Sequence, residues 1–210
     1  MLETPDFLDR QETDIPFPSS WDRYVAQLNL LLRRMAVTDA AGKHLSAASG
    51  FQQFCELTLD TRRHGRCVFF VGNGASASMA SHFACDLGKS LRVDACVFTD
   101  PAVMTAVAND LSYDEVFAEP LRWKMRPGDL LVAISSSGCS PNILRAAEAV
   151  PGLGGRVVTL SAMAAANPLR GLGVLNFHVG ATTYGQAESA HATILHHWLD
   201  MVSGCQWETA

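Results

Sequence analysis

The sequence lacks the features that mark several large classes of protein. Its 210 residues contain 16 Lys and Arg against 21 Asp and Glu, a formal net charge of -5, and no segment is densely basic. Because a protein that follows a nucleic-acid backbone needs clustered cations, we expect no direct nucleic-acid binding. Residues 1–20 have neither a basic start nor an apolar core, which argues against a signal peptide or membrane anchor. We therefore predict a cytoplasmic protein with a flexible N-terminal tail over residues 1–20.

Cysteine is present, but not in a pattern that implies disulfides or a zinc knuckle. The cysteines are scattered and none belongs to a Cys-x-x-Cys pair. We predict reduced thiols in a core. They are Cys55, Cys67, Cys85, Cys96, Cys139 and Cys205.

The chain has 48% hydrophobic and 18% charged residues, enough for one well-packed domain, which we place at residues 21–210. Two amphipathic helices open it, over Trp21–Val37 and about Leu45–Arg63. Short apolar runs then alternate with helical stretches, a pattern typical of a parallel sheet covered by helices on both faces. The predicted strands are Cys67–Val71, Ala95–Phe98, Leu130–Ile134, Arg156–Leu160 and Val174–Val179. The predicted helices are Ser76–Lys89, Ala102–Asp110, Asp114–Trp123, Pro141–Val150 and about Ala187–Val202.

Two of the predicted strands end in loops that suit an anion. The run Val68–Val71 is followed by Gly-Asn-Gly-Ala-Ser at 72–76, and Leu130–Ile134 by Ser-Ser-Ser-Gly-Cys-Ser at 135–140. Each loop leads into a predicted helix, where backbone N–H groups and hydroxyls can hold an anionic group. Neither loop has the Lys-Ser or Lys-Thr pair of a Walker loop, and the first lacks the third glycine of a dinucleotide fingerprint. We predict a phosphate monoester held between the loops and no nucleotide cofactor.

Histidines and carboxylates lie at helical spacing on two predicted helices. His82 and Asp86 are four residues apart and share one face, which fits either a shared metal ion or a simple ion pair. Glu188 and His196 are eight residues apart, about 12 Å of helical rise. They can meet at one metal only if the helix starts after Glu188 or a second subunit intervenes. His197 points about 100° away from its neighbour, and we assign it to surface or interface packing.

Five motifs stand in a fixed order between Trp21 and Val202. They are Val71–Ser76, His82–Ala84, Phe98–Asp100, Ala108–Asp110 and Ile134–Asn142. Together they resemble the sugar isomerase (SIS) domain of bacterial phosphoheptose isomerases. The resemblance implies a flavodoxin-like three-layer α/β sandwich with a five-stranded parallel sheet and two leading helices. It also implies a homotetramer with active sites between subunits.

The resemblance further implies a site for a phosphorylated ketose. Serines of both loops match the family's phosphate ligands, and an Asn-Gly pair and an acid after the next strand match further substrate contacts. The matching residues are Asn73, Gly74, Ser76, Asp100, Ser135, Ser136, Ser137 and Ser140.

A zinc site is also implied, with two departures from the family's residues. The family binds zinc through His, Glu, Gln and His, which match His82, Asp86, Glu188 and His196. Asp86 thus replaces a glutamate and Glu188 replaces a glutamine. The added anion at Glu188 should strengthen binding of a divalent cation, so we predict zinc as the cofactor.

The reaction implied by the family converts sedoheptulose 7-phosphate to glycero-manno-heptose 7-phosphate through an enediol. It needs a base near the carbon-bound proton and an acid that protonates the oxygen. The resemblance gives these roles to Asp86 and His196. Aspartate is one methylene shorter than glutamate, and a displacement of about 1 Å can lower a rate ~100-fold. The sequence therefore leaves open a shifted helix, a different sugar or no isomerisation.

Two other functions are compatible with a SIS domain. One is a non-catalytic oligomeric scaffold for the bacterial replication initiator, but a scaffold needs neither the carboxylate at Asp86 nor the imidazole at His196. The other is a sugar-phosphate sensor or binder, which in this family is often fused to a DNA-binding module that this sequence lacks. We predict a homo-oligomer, with a tetramer favoured, because the leading and last helices offer more apolar surface than one subunit covers.

Overall fold

The structure, a computed structural model, describes residues 20–207. Within that range the chain forms seven strands and seven α-helices. The strands are β1 (Ala36–Asp39), β2 (His44–Leu45), β3 (Val68–Gly72), β4 (Ala95–Val97), β5 (Leu130–Ser135), β6 (Arg156–Ala162) and β7 (Leu175–Val179). The helices are α1 (Trp21–Arg33), α2 (Ala47–Arg63), α3 (Ala75–Leu91), α4 (Pro101–Asp110), α5 (Ala118–Lys124), α6 (Pro141–Ala149) and α7 (Tyr184–Trp207). The predicted tail lies outside the described residues except for Ser20.

All the strands form one sheet with the order β2-β1-β7-β6-β5-β3-β4. Strands β3 to β7 pair in parallel and match the five predicted strands. Their order, β4-β3-β5-β6-β7, is the flavodoxin-like order, with its reversal between β3 and β5. The sheet is nevertheless seven-stranded, because β1 and β2 extend it with antiparallel pairs. The predicted count of five strands is therefore wrong.

The two additional strands form a hairpin between the two leading helices. Helix α1 ends at Arg33 and the chain enters β1 at Ala36, whereas the apolar spacing predicted a helix as far as Val37. Strand β1 pairs with β7, with Val37 opposite Phe177. Because β1 is only four residues long, its sequence is not distinguishable from the end of a helical stripe. The leading region is thus helix, hairpin and helix.

The segment between β4 and β5 also differs from the sequence-based prediction. The predicted helix Asp114–Trp123 is divided into a 3-10 turn, Tyr113–Glu115, and the short helix α5. Two residues, Val116 and Phe117, separate the two pieces, and both side chains are buried. The apolar spacing therefore marked the buried side of this segment but not the break in its helical backbone.

Apolar side chains form one cluster on each face of the sheet. Phe70 of β3 joins the cluster that contains residues of α2, α3 and α7, while its neighbour Phe69 joins the cluster that contains residues of α4, α5 and α6. This alternation is what a strand buried on both faces requires. Helices α3 and α6 therefore lie on opposite faces, although both begin at the C-terminal edge of the sheet.

Helix α7 is anchored to the first of these clusters by an aromatic contact. Trp198 is fully buried and stacks on Phe54 of α2, with 4.2 Å between ring centroids. Its indole N–H donates to the Thr58 hydroxyl at 3.1 Å. These contacts fix the helix that carries Glu188 and His196.

The cysteines are all free, as predicted, but only some are in the core. Cys55 is buried and Cys67 is partly buried, and burial raises the pKa of each thiol to about 12. Both therefore stay protonated and unreactive near neutral pH. Three of the other cysteines are exposed: Cys85, Cys139 and Cys205.

Membrane insertion has no helical candidate in this fold. Among residues 20–207, no helix combines the length and the apolar character that crossing a bilayer requires.

Candidate active site

A cavity of about 190 Å³ opens at the C-terminal edge of the sheet. It is bounded by the loops after β3 and β5 and by the first two turns of α7. This is the point of strand-order reversal, where ligands of doubly wound sheets bind. The lining residues are Asn73, Ser76, Ile134, Ser135, Ser136, Ser137, Ser140, Tyr184 and Glu188.

The first loop turns tightly from β3 into α3. A Cβ on Gly72 would lie 2.6 Å from the backbone of Ser76, so glycine is needed for this close approach. Gly74 is the N-cap of α3, and no side chain caps this helix. The positive end of the helix dipole is therefore not neutralised by a capping group. Ser76, 6% exposed, lines the cavity at this point.

The serine loop is held in shape by its own hydroxyls. Ser140 is the N-cap of α6, but its hydroxyl makes no capping bond and instead lies 3.3 Å from the Ser135 hydroxyl. The Ser135 hydroxyl also accepts the Gly138 backbone N–H at 3.2 Å. Gly138 has φ +63, and a Cβ there would overlap the Asn167 amide. A second uncapped helix start thus faces the cavity, on a loop with little room to move.

Two predicted substrate-binding residues do not line the cavity. Gly74 is exposed at the helix start. Asp100 is also exposed, and its carboxylate accepts the backbone N–H groups of Ala102 and Val103 at 2.9 and 3.0 Å. That geometry is an N-cap of α4. Substrate contact by Asp100 stays a prediction.

One lining residue, Tyr184, was missed in the sequence. It is the first residue of α7, and its side chain is exposed beside the cavity. The available signal was its position four residues before Glu188, which places both on one helical face.

Glu188 is the only charged side chain among the described residues that line the cavity. Helix α7 begins at Tyr184, three residues before the predicted start at Ala187, so Glu188 lies within the helix. Two turns, about 12 Å, separate it from His196. The first condition under which Glu188 and His196 can share a metal is therefore not met.

A second group of polar side chains lies where α3 packs against α7. The His82 Nε2 atom is 3.3 Å from Asp86 Oδ2, and the ring centroids of His82 and His196 are 5.4 Å apart. Lys89 also pairs with Asp86, at 3.2 Å. Both histidines are exposed, and Asp86 is partly buried. The fold thus brings together the proposed base, the proposed acid and one further predicted metal ligand on an open surface.

Comparison with known proteins identifies the family. The model of the SIS domain matches residues 23–162. The chain belongs to the SIS domain family. Phosphoheptose isomerase from Campylobacter concisus is 31% identical over 160 residues, covering 73% of this chain and 84% of that protein. The enzyme of the same name from Mycobacterium tuberculosis is 37% identical over 140 residues, 64% of this chain and 71% of the relative.

Solved structures confirm the SIS fold. Phosphoheptose isomerase GmhA from Neisseria gonorrhoeae aligns with a TM-score of 0.75 at 24% identity, covering 87% of this chain and 96% of the other. A phosphoheptose isomerase from Francisella tularensis aligns with a TM-score of 0.76 at 22% identity, covering 88% of this chain and 95% of that chain.

The zinc site implied by the resemblance is not assembled within one SIS domain. Among residues 20–207, no group of three or more His, Cys, Asp or Glu side chains is arranged to hold a metal ion. The four ligands implied by the resemblance would all have to lie within about 2.3 Å of the ion, whereas Glu188 is two helical turns from His196. The described residues of one chain therefore do not bring this implied set together.

Two further histidines are buried inside the domain and do not line the cavity. His191, on α7, is fully buried, and neither of its ring nitrogens has a hydrogen-bond partner in the described structure. Burial lowers its pKa to about 4, despite an opposing effect of the nearby Ser161 backbone. Burial also lowers the pKa of His178 on β7. Both are neutral at neutral pH and have a packing role.

Proposed function

We propose that this protein is a phosphosugar aldose–ketose isomerase that converts sedoheptulose 7-phosphate to glycero-manno-heptose 7-phosphate. The observation that carries the proposal is that helices α3 and α7, which both begin at the cavity that contains the anion cradle, also carry an acid–base cluster. We call the cavity-lining serines together with Asn73 the cradle; these serines are Ser76, Ser135, Ser136, Ser137 and Ser140. We call His82, Asp86 and His196 the acid–base cluster. The related phosphoheptose isomerases support the same reaction.

The spacing along the helices suits a long substrate. Both helices begin at the cavity, where Ser76 and Glu188 line it. His82 follows Ser76 by about 9 Å of helical rise, and His196 follows Glu188 by about 12 Å. An open-chain heptose 7-phosphate spans about 9 Å from phosphorus to C2, given bonds of about 1.5 Å. A sugar whose phosphate binds in the cradle can thus extend along the helices as far as His82. The Asp86 backbone lies about 15 Å of rise beyond Ser76, but its carboxylate is 3.3 Å from His82 Nε2.

The chemistry needs one base and one acid. The Asp86 carboxylate removes the proton from C1 of the ketose, and His196 gives a proton to the C2 oxygen, which yields the enediol. The O1 hydroxyl then loses its proton while C2 receives one, and the product is the aldose. No oxidant or reductant is required, because the hydrogen moves within the sugar. His82, 3.3 Å from Asp86, orients the carboxylate.

Zinc enters this proposal only between subunits. Because the described residues of one chain do not assemble the implied set of ligands, the steps above use no metal, and the complete set of His82, Asp86, Glu188 and His196 would need Glu188 from a second copy. Helix α1 supports an oligomer, with a tetramer as the proposed state. None of its residues is buried, and Trp21 is 75% exposed. Multi-angle light scattering and metal analysis of the purified protein test both points.

The isomerase proposal is tested with sedoheptulose 7-phosphate, with and without zinc, by following the aldose by NMR. Unphosphorylated sedoheptulose is the matched control, since it reaches the same cluster without using the cradle. We expect aldose from the phosphorylated ketose alone. Folded, zinc-supplied protein that binds the sugar phosphate without forming aldose would contradict the enzyme and favour a sugar-phosphate binder or a scaffold.

A further inference from the structure

A reciprocal pair of amides joins the two loops of the cradle. Asn73 follows β3, and Asn142 is the second residue of α6, 69 positions later. The Asn73 Nδ2 donates to Asn142 Oδ1 at 2.9 Å, and the Asn142 Nδ2 donates to Asn73 Oδ1 at 2.9 Å. Each side chain is therefore both donor and acceptor to the other.

The pair crosses the point where the strand order reverses. Strands β3 and β5 are neighbours in the sheet, and Gly72 at the end of β3 is opposite Ile134. Beyond these residues the chain diverges, because α3 packs on one face of the sheet and α6 on the other. The two amides thus connect the starts of two helices that lie on opposite faces.

The two asparagines differ in what they reach. Asn73 is partly buried and lines the cavity, whereas Asn142 is 2% exposed and does not. An amide has two N–H donors and an oxygen with two lone pairs. Pairing uses one N–H of Asn73 and leaves the other for a ligand in the cavity. Asn142 is too buried to find a replacement partner in water, so loss of the pair would leave a buried amide unsatisfied.

We propose that Asn142 is a positioning residue, which acts through Asn73 to hold the glycine loop and the serine loop at the separation that binds a phosphate ester. This inference rests on the proposed function for its substrate, but its ligand contact is the phosphate alone. Aspartate cannot replace either member at neutral pH, because a carboxylate has no N–H to donate. Alanine removes the pair without adding a charge.

The experiment compares Asn142→Ala, Asn73→Ala and the double variant by calorimetric titration with inorganic phosphate and with sedoheptulose 7-phosphate. We expect each single variant to bind about tenfold more weakly than wild type, the effect of losing one well-placed hydrogen bond to a charged group. The double variant should bind no more weakly than Asn73→Ala, because Asn142 acts only through Asn73. A purely structural role for Asn142 would not produce this lack of additivity.

Asn176→Ala is the matched control. Asn176 is also buried, at 1% exposure, and its amide bonds to Thr159, Gly173 and the β1 backbone, remote from the cavity lining. It should lower thermal stability and leave phosphate affinity unchanged. Where Asn142→Ala does not fold, Asn142→Leu, which fills a similar space without a hydrogen-bond donor or a charge, takes its place.

Wild-type affinity in the Asn142 variant, or losses that add in the double variant, would overturn the inference. Failure of the wild-type protein to bind any phosphate probe would overturn it together with the cradle. Turnover is measured on the same samples. Weaker binding in the variants of a protein that never forms aldose would leave the positioning role standing and refute only the isomerase.

Discussion

The cradle and the acid–base cluster differ in how completely one chain builds them. The cradle consists of buried and partly buried side chains, with Ser135 4% and Ser136 6% exposed, on loops held by hydroxyl and amide hydrogen bonds. The cluster lies on the surface, where the His82 side chain is 53% exposed and Asp86 also pairs with Lys89. The proposed phosphate site is thus complete within one chain, while the proposed site of proton transfer is open to water.

This difference indicates what another copy of the chain would supply. Proton transfer in enzymes is efficient where water is excluded, because electrostatic interactions are then stronger. A second copy of the chain would shield the exposed histidines and helix α1, none of whose residues is buried, from water. The cradle needs no such shielding. Variants that affect one half of the site at a time test the distinction.

The largest effect is expected from disabling the cluster. Asp86→Asn and His196→Gln should each lower turnover by about 10²–10⁴-fold, the usual contribution of a general base or acid. Because neither residue lines the cavity, the affinity for inorganic phosphate should not change. Steady-state kinetics and calorimetry measure the two quantities on the same protein.

Two further variants control this experiment. Asp200→Asn makes the same chemical change at an exposed position of α7 and should leave turnover intact. Asp86→Glu restores the longer arm of the family and should keep or raise the rate if the substrate is the family's own. Equal losses of turnover and phosphate affinity in Asp86→Asn would show that the two halves are not separable.

The reverse experiment deforms the cradle and spares the cluster. Gly138→Ala places a methyl group against the Asn167 amide at a φ of +63, so the serine loop must shift. A shift that breaks one hydrogen bond from the loop to the phosphate is expected to weaken phosphate binding by about 10- to 100-fold. Gly152→Ala, where nothing lies within 4 Å of the new Cβ, is the matched control. Normal affinity in Gly138→Ala would mean that the serine loop does not bind the phosphate.

The sequence predicted the two loops that line the cavity better than the rest of the site. The runs Val68–Val71 and Leu130–Ile134 are short, apolar and ended by glycine or serine, so local pattern determines both the strand and the loop after it. The place where the loops meet follows from the parallel sheet. The hairpin was missed because β1 and β2 are four and two residues long, and their stability comes from pairing with β7.

What the sequence did not predict depends on contacts between distant residues. The amide of Asn142 pairs with one 69 positions away, and no spacing rule connects them. The resemblance assigns Asp100 to substrate binding, which stays a prediction, and its N-cap bonds to its own helix were not anticipated. Whether Glu188 and His196 of one chain can meet depends on where α7 starts, and helix boundaries are the least certain part of a sequence-based assignment.

A smaller effect concerns the helix that links the two halves, since His191 lies on α7 between Glu188 and His196. Burial lowers the pKa of His191 to about 4, while in the unfolded chain a histidine titrates near 6.5. Below that pH the unfolded chain gains a proton that the folded protein excludes, so stability falls between about pH 6.5 and pH 4. The loss from pH 7 to pH 5 should be about 2 kcal/mol, measured by urea unfolding.

His191→Leu should remove that part of the pH dependence, whatever its effect on stability at pH 7. His44→Leu, at an exposed position of β2, should leave the pH dependence as it is in wild type. An unchanged slope in His191→Leu would mean that His191 does not account for the acid sensitivity.

The smallest effect tests the charge that lines the cavity beside the cradle. Glu188 is the sole charged residue lining the cavity in the described part of the chain, and it has the same sign as a phosphate. Two unit charges about 4 Å apart in water repel by about 1 kcal/mol, so Glu188→Gln should raise the affinity for inorganic phosphate about fivefold. The gain should shrink at high salt, which screens the repulsion. Glu148→Gln, exposed on α6, changes the net charge equally and should have no such effect. Weaker phosphate binding in Glu188→Gln would instead show that the carboxylate helps to hold the ligand, for example through a cation that both bind. The cradle would then be incomplete without that cation, and the contrast with the acid–base cluster would be wrong.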